Sequence, residues 1–432
     1  MEAFFIYELT LVLGLAIFTG YFVKFHRRRQ TYRMRLEDIR PTYRDRPLAQ
    51  HPIIDETLCL GCGSCAEVCP EGEVLGVIHG KAQLIDPVSC VGHGECAKVC
   101  PVSAITIGMP DRQLRADLPL IDEWQQTNVS RLYITGELGG ISLIRNAIEQ
   151  GKTAVAHIAS NPHRSTDERV QDVVIIGAGP AGISAALAAE QHKLSYLVLE
   201  QQEAGGTIRH FPRQKLVMNR PVSLPLYGKL KRTEYTKEEI LKIFEDIVAR
   251  YQLNIITSQK VSLVRKEKKL FRVVSGNSTY WARHVVLALG RRGTPNKLNV
   301  PGEAQPKVAY QLTDARYYQG NDLLVVGGGD SAVEAAIALA RQQNNTVTIS
   351  YRKERFYRIK RRNAELLETF IASGQIIPVF NSQVREIAKA WVVLDTPAGA
   401  LQIDNDYVFV CIGGTMPFGM LRGAGVQFGG EA

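Results

Sequence analysis

"DVVIIGAGPAGISAALAAEQHKLSYLVLE", residues 172–200, holds a whole folding unit. An apolar run ends in Gly177-Ala178-Gly179-Pro180-Ala181-Gly182, an alanine-rich helical stretch follows, and a second apolar run ends at Glu200. Glycines at this spacing permit a tight turn and let the backbone approach a pyrophosphate. The pyrophosphate rests on the helix N-terminus, and the acid one strand later accepts from ribose hydroxyls. Strand, glycines, helix and acid stand in register, which is far more specific than an isolated G-x-G-x-x-G.

A second unit, "DLLVVGGGDSAVEAAIALARQQNNTVTISYR" (322–352), repeats the pattern with Gly327, Gly329 and Ala332. Its second strand ends in Tyr351-Arg352-Lys353, without an acid. Basic residues at this point suit a 2′-phosphate, so Arg352 and Lys353 favour NADPH and leave NADH open. Arg358, Lys360 and Arg361 add charge nearby. A solvated basic face is the plainer reading of the same residues.

Seven of the eight cysteines fall in two runs, and Cys411 stands apart. "CLGCGSCAEVCP" (59–70) reads C-x2-C-x2-C-x3-C-P, and "CVGHGECAKVCP" (90–101) keeps the frame with histidine at the second position. Three close cysteines wrap one face of an iron–sulfur cubane, and in the bacterial ferredoxin pattern the fourth ligates the other cluster. Cys59, Cys62, Cys65 and Cys100 are then expected to hold one [4Fe–4S] centre, and Cys69, Cys90, Cys96 and His93 the other. Zinc ribbons use paired C-x2-C knuckles instead of a triple. Three readings of His93 stand open. It ligates the second cluster as an imidazole, it stands beside a [3Fe–4S] centre held by three cysteines, or the site is lost.

Upstream lies "FFIYELTLVLGLAIFTGYFV" (4–23), whose only charge is Glu8. Twenty helical residues at ~1.5 Å each match a ~30 Å hydrocarbon core. Eight arginines against three acids follow between Phe25 and Arg46. By the positive-inside rule they place the rest of the chain in the cytoplasm. With no cleavage site after the apolar run, the expectation is an uncleaved single-pass anchor in the cell inner membrane, its soluble domains on the cytoplasmic side.

The 432 residues, 45% of them apolar and 37 of them glycine, suit packed α/β domains rich in tight turns. The net charge of +9 is concentrated near one end, which points to lipid headgroups and not to nucleic acid.

Two dinucleotide folds in one chain, the first with an acid and the second with bases, resemble the thioredoxin-reductase-like flavoproteins over roughly residues 131–432. "VVLALGRRGTP" (285–295) and "YVFVCIGGTMP" (407–417) resemble the family's domain-closing elements. With the cysteine runs added, the chain is also similar to the small subunit of glutamate synthase. The resemblance implies FAD in the first fold and NADPH, or NADH, in the second. The family continues past its "IGG" element into a final FAD-binding stretch, and "RLYITGELGGISLIRNAIEQGKTAVAHIA" (131–159) resembles that stretch, with Gly136 and Glu137 as its Gly-acid pair. A circular permutation follows as an expectation, with residues near 430 close to residues near 130. Asn146, Ala147 and Gly151 are expected near the flavin. Glu137 stands where the family usually has Asp. The redox C-x-x-C of thioredoxin reductases is absent, which is more similar to ferredoxin–NADP reductases and bacillithiol-disulfide-reductase-like members.

The expected fold class is α/β: two Rossmann-like dinucleotide-binding domains, preceded by a small α+β ferredoxin-like domain and one transmembrane helix. The expected boundaries are 1–25 anchor, 26–50 basic juxtamembrane linker, 51–110 two-cluster domain, 111–130 linker, 131–302 FAD-binding domain and 303–432 NAD(P)H-binding domain. The expected function is electron transfer between NADPH and a one-electron carrier or membrane redox protein through FAD and two clusters. A flavin-dependent small-molecule disulfide reductase and a non-catalytic redox sensor or assembly subunit are the alternatives. A homodimer is compatible with all three. Hydride transfer requires no acid–base residue, and no catalytic side chain is nominated.

Overall fold

A computed structural model describes residues 2–39, 50–87, 89–109, 115–140, 143–160, 167–211, 213, 215–218, 221–232, 234–291, 293–357 and 359–430. The chain divides into two units, 1–109 and 110–432.

In the first unit, helix α1 (Glu2–Ile39) is continuous through the apolar and the basic stretches. No glycine or proline interrupts residues 21–39. This corrects the expected linker at 26–50: residues 26–39 are helix, and residues 40–49 lie outside the described residues. Among the described residues no helix is long and apolar enough to cross a membrane. Of the expected span, the side chains up to residue 11 are not described. The remaining 12–23 would extend only ~18 Å, short of a bilayer core. The transmembrane helix is therefore not supported by the described residues.

Tyr32 of α1 is buried with Ile78 and Ile85. A Cβ on Gly76 would come within 2.7 Å of the Tyr32 ring, so the glycine makes the slot that ring fills. Arg33 Nη2 and His79 Nε2 lie 3.0 Å apart beside it. The cysteine runs sit on two antiparallel pairs, His51–Ile54 with Ile105–Gly108 and Leu75–Ile78 with Lys81–Leu84. Two one-turn helices, α2 (Ser64–Glu67) and α3 (Glu95–Lys98), complete this unit.

The second unit holds both dinucleotide folds. The first sheet runs, in spatial order, 255–256, 196–199, 170–176, 278–287, 270–275 and 261–267, with Leu132–Ile134 parallel to Val285–Leu287. Its parallel strands are apolar and buried at their centres, over 173–176, 196–199 and 285–287. Helices α4 (Ile144–Ser160) and α5 (Pro180–Gln191) pack on one face. Their backbones touch at Gly151, where a Cβ would stand 2.2 Å from the Ala181 carbonyl oxygen. Helix α6 (Lys237–Arg250) opens with a Thr236–Glu239 capping box, which satisfies two otherwise orphaned N–H groups. The second sheet is parallel, ordered 308–309, 407–410, 322–326, 346–351 and 376–380. Helices α7 (Asp330–Ala340) and α8 (Arg361–Ala372) pack in its core with Leu339, Leu367 and Phe409.

The two folds are joined by Thr294–Pro295 and Gly414–Thr415, which pair antiparallel as crossing strands. Beyond them the chain returns to the first fold: Met416, Leu421, Val426 and Phe428 are in its core, with helix α9 (Phe418–Gly423) between. The expected 303–432 domain thus loses its last segment to the flavin fold. Residues 118–128 are likewise no linker. Leu118 is fully buried, the Leu120 N–H donates to the Gln427 carbonyl at 2.9 Å, and Asn128 Nδ2 donates to the Gly425 carbonyl at 2.9 Å. Residues near 430 and near 130 are neighbours, as the sequence led us to expect. Residues 110–114 lie outside the described residues.

Candidate redox-cofactor sites

Each cysteine run turns on two left-handed glycines that flank its second ligand position: Gly61 (φ 67°) and Gly63 (φ 84°) around Cys62, Gly92 (φ 72°) and Gly94 (φ 81°) around His93. His93 therefore occupies the structural counterpart of Cys62. A Cβ on Gly61 would stand 2.1 Å from the Gly80 carbonyl oxygen, so this loop admits no side chain. Cys69, Cys90, His93 and Cys96 line one cavity, which brings the last cysteine of the first run to the second set. Cys59, Cys65, Cys96 and Cys100 pack in one apolar cluster.

The Ala82 and Ala104 N–H groups donate to the sulfurs of Cys59 and Cys100 at 3.3 and 3.2 Å. Burial, with neighbouring cysteines adding to it, pushes the Cys65 thiol up to about 11; burial pushes Cys90 up to about 12 and raises Cys69 and Cys96. Cys62 is exposed, and its thiol is held below the usual range by hydrogen bonds from Ser64. Thiols so raised stay protonated by themselves, and a bound metal centre would offset the cost of ionising them in so dry a place. Among the described residues no group of three His, Cys, Asp or Glu stands close enough to hold a metal ion. The cysteine spacing fits iron–sulfur clusters, where zinc ribbons use paired C-x2-C knuckles. Sequence reading missed Glu71: its Oε1 lies 3.4 Å from His93 Nε2, and both side chains are 14% exposed.

In the first dinucleotide fold a cavity of about 600 Å³ is lined by Thr135, Gly136, Glu137, Gly177, Gly179 and Glu200, among others. That volume is ordinary for a cofactor pocket. Gly177 (φ 105°) lies against Ala288, whose carbonyl oxygen a Cβ would meet at 2.5 Å. Gly179 is extended, and a Cβ there would meet nothing nearer than Gly206 Cα at 3.8 Å, leaving open a space of the kind a phosphate fills. Pro180 opens α5, whose first N–H groups face no partner of their own helix. Thr135 Oγ1 is buried in the wall with no partner, a hydroxyl still owed a hydrogen bond. These features fit FAD.

Glu200 is buried; its carboxylate accepts from the Ala178 N–H at 2.7 Å and the Gln202 N–H at 2.9 Å, which fixes it beneath the glycine turn. Gly136 donates its N–H to Gln150 Oε1 at 2.7 Å. Desolvation raises the Glu137 carboxyl, while the Arg291 guanidinium and backbone N–H pull it the other way. Arg291 also bonds Asp117 Oδ2 at 3.1 Å, a contact across 174 residues. Ala147 lines the cavity as expected, but Gly151 serves the α4–α5 contact, and Asn146 is not among the lining residues.

In the second fold Gly327 (φ 143°) lies against the Cys411 carbonyl oxygen, which a Cβ would approach to 2.4 Å. Gly329 is open, and Ala332 is fully buried. Gly328, missed in the sequence, leaves room for the Tyr351 ring, 2.2 Å from where its Cβ would be. Arg352, Lys353 and Lys360 are exposed after the second strand. Arg358 and the Arg361 side chain lie outside the described residues. Burial pushes the Cys411 thiol up to about 11, as for a packing residue.

Two glycine-loop folds, the first beside a cavity of cofactor size, define a flavin- and nicotinamide-dependent oxidoreductase. The chain belongs to the pyridine nucleotide-disulphide oxidoreductase family, whose family model matches residues 174–430, and a 4Fe-4S dicluster domain matches 51–101. It is similar to a ferredoxin–NADP reductase of Ignicoccus hospitalis, 30% identical over 252 residues that cover 56% of this chain and 77% of that protein. It is also similar to the bacilliredoxin reductase Bdr of Bacillus subtilis, 28% identical over 60% of this chain and 82% of that one. Among solved structures, the bacillithiol disulfide reductase Bdr (YpdA) from Staphylococcus aureus matches with a TM-score of 0.54 at 26% identity, covering 60% of this chain and 80% of that one. The protein is an NAD(P)H-dependent flavoprotein oxidoreductase with a ferredoxin-like 4Fe-4S domain.

Proposed function

We propose that the protein moves electrons between NADPH and a membrane-associated one-electron carrier or partner protein, through FAD and two iron–sulfur clusters. The observation that carries this reading is the distribution of sulfur. Cys411, the one cysteine outside the two runs, is a packing residue beside Gly327, so no thiol pair stands ready to relay electrons to a disulfide. A bound flavin exchanges electron pairs with nicotinamide and single electrons with clusters, so it couples the two. The chain's residues place the groups: the 177–182 turn, Thr135 and Glu137 hold FAD, the 327–332 turn holds the nucleotide, and the cysteine runs hold the clusters.

Within this reading His93 ligates the second cluster. A carboxylate beside a ring nitrogen, as Glu71 is, orients a ligating histidine ring. Residues 131–159 act as a permuted family segment. Leu132–Ile134 extend the flavin sheet and α4 packs on α5, though the family match begins only at residue 174. The first helix anchors the protein to the membrane. Leu13, Ile17, Phe18 and Phe22 are exposed on it, and Arg27 and Arg33 follow one to three turns later.

Electron paramagnetic resonance of the detergent-solubilised protein, before and after adding NADPH, tests the route. Signals from two reduced clusters after NADPH are expected. Clusters confirmed by iron analysis yet silent in both states would mean that NADPH does not reduce them, so that electrons flow the other way or the flavin works alone. Replacing Arg352 and Lys353 together by alanine should raise KM for NADPH on the order of tenfold or more, since each contact to a charged phosphate is worth ~1.5–3 kcal/mol. The NADH value should barely move. An equal loss for both coenzymes would remove these residues from the 2′-phosphate.

A further inference from the structure

Phe211, Arg213 and Lys215 belong to a segment that contributes nothing to either glycine fingerprint, yet they tie the two dinucleotide folds together. Phe211 lines the flavin cavity. Lys237, the first residue of α6, donates to the Phe211 carbonyl at 2.7 Å and so fastens this segment to the flavin fold. Four residues on, Lys215 Nζ lies 4.3 Å from the centre of the Phe211 ring. The same ammonium lies 2.6 Å from Glu334 Oε2, on α7 of the nicotinamide fold. A second ion pair runs parallel to it, from Arg213 to Asp314 at 3.9 Å.

On the far side the chain of contacts continues. Glu334 Oε1 accepts from Asn363 Nδ2 of α8 at 3.3 Å, and Asn363 donates to Asp330 Oδ1 at 2.6 Å. Asp330 is the first residue of α7, directly after Gly329 of the nucleotide loop. The Lys215 and Glu334 side chains are 27% and 23% exposed, so water screens them less than a surface pair. The covalent links between the folds at this point are two short strands, which leave their relative orientation soft.

We propose that Lys215 is a positioning residue for the nicotinamide–flavin reaction. Held over Phe211 and paired with Glu334, it sets the register of the nucleotide-binding helix against the flavin cavity wall. Hydride transfer is sensitive to such registration, because a displacement of ~1 Å of the reacting groups costs up to ~100-fold in rate. The inference rests on the reading that α7 receives the pyrophosphate of NADPH.

The test uses the full-length holoprotein and three variants: Lys215→Met, Glu334→Gln, and the reversed pair Lys215→Glu with Glu334→Lys. Three quantities are read: the dissociation constant of NADP⁺ by calorimetry, the change in flavin absorption on NADP⁺ binding, and the limiting rate of flavin reduction at saturating NADPH. Each single variant should keep NADP⁺ affinity within about threefold, lose the absorption change, and lower the limiting rate about tenfold. The reversed pair should recover most of both losses, which a merely structural role would not produce. Unchanged limiting rate and absorption in the single variants would overturn the proposal, as would a reversed pair no better than either. Glu334→Gln is isosteric and keeps the contact to Asn363, so it decides the matter where Lys215→Met does not fold. A wild-type protein that binds NADP⁺ but is not reduced by NADPH would defeat the proposed function instead, and the absorption change would still judge the Lys215–Glu334 pairing.

Discussion

Gly182→Val will give a protein that purifies without flavin. A Cβ at residue 182 would stand 1.8 Å from the Gly177 carbonyl oxygen, inside any tolerable contact and against backbone that no rotamer can move. Relief requires α5 to shift away from the strand 170–176. That helix cannot shift freely, because Ala185, Ala186, Leu187 and Ala189 are all fully buried. Overpacking of a tight core costs ~1–3 kcal/mol and sometimes more. The displacement falls on the loop that would receive the pyrophosphate, so binding suffers beyond the loss of stability. Gly179→Ala isolates the second effect, since its Cβ enters open space and threatens no backbone. It should leave thermal stability nearly unchanged while weakening FAD. The cysteine runs belong to a separate unit, so iron content should persist in both variants. Full flavin absorption in purified Gly182→Val would remove the glycine turn as the FAD site.

His93→Cys will lower the reduction potential of one cluster while iron content stays constant. Thiolate brings a full negative charge where neutral imidazole brought none. The position is 14% exposed and stands with Cys69, Cys90 and Cys96 around one cavity, so water screens that charge poorly. The contrast between histidine-ligated Rieske centres and all-cysteine plant-type ferredoxins sets the expected drop on the order of 100 mV or more. Redox titration followed by electron paramagnetic resonance measures it. A rise in iron content, with loss of a three-iron signal, would show that His93 had not been a ligand. No change in either quantity would mean that the position does not touch the cluster.

Most of what is legible in the chain depends on near neighbours. The turn at Gly177–Gly182 is legible because positive φ and close backbone approach demand glycine at fixed offsets. The cysteine spacing is legible for the same reason, since one loop must wrap one cluster face. Even the substitution of His93 for a cysteine could be placed in register, and the paired glycines at 61, 63, 92 and 94 explain why that register held. The helix over residues 26–39 reads as a linker in the sequence because its arginines look like a solvated run. Tyr32, the residue that docks it, is a single aromatic with no pattern around it.

Local patterns carry the two dinucleotide folds and the cluster-ligand candidates, and the resemblance of residues 131–159 to the family's final stretch carries the proximity of the 130 and 430 regions. Only the folded backbone places residues 416–428 in the flavin core, Glu71 beside His93 and Asp117 on Arg291. It also decided that Lys215 reaches Glu334 across 119 residues. Such long-range charge pairs leave no periodicity in the chain, because either partner alone reads as an ordinary exposed side chain until the folded backbone brings the two together.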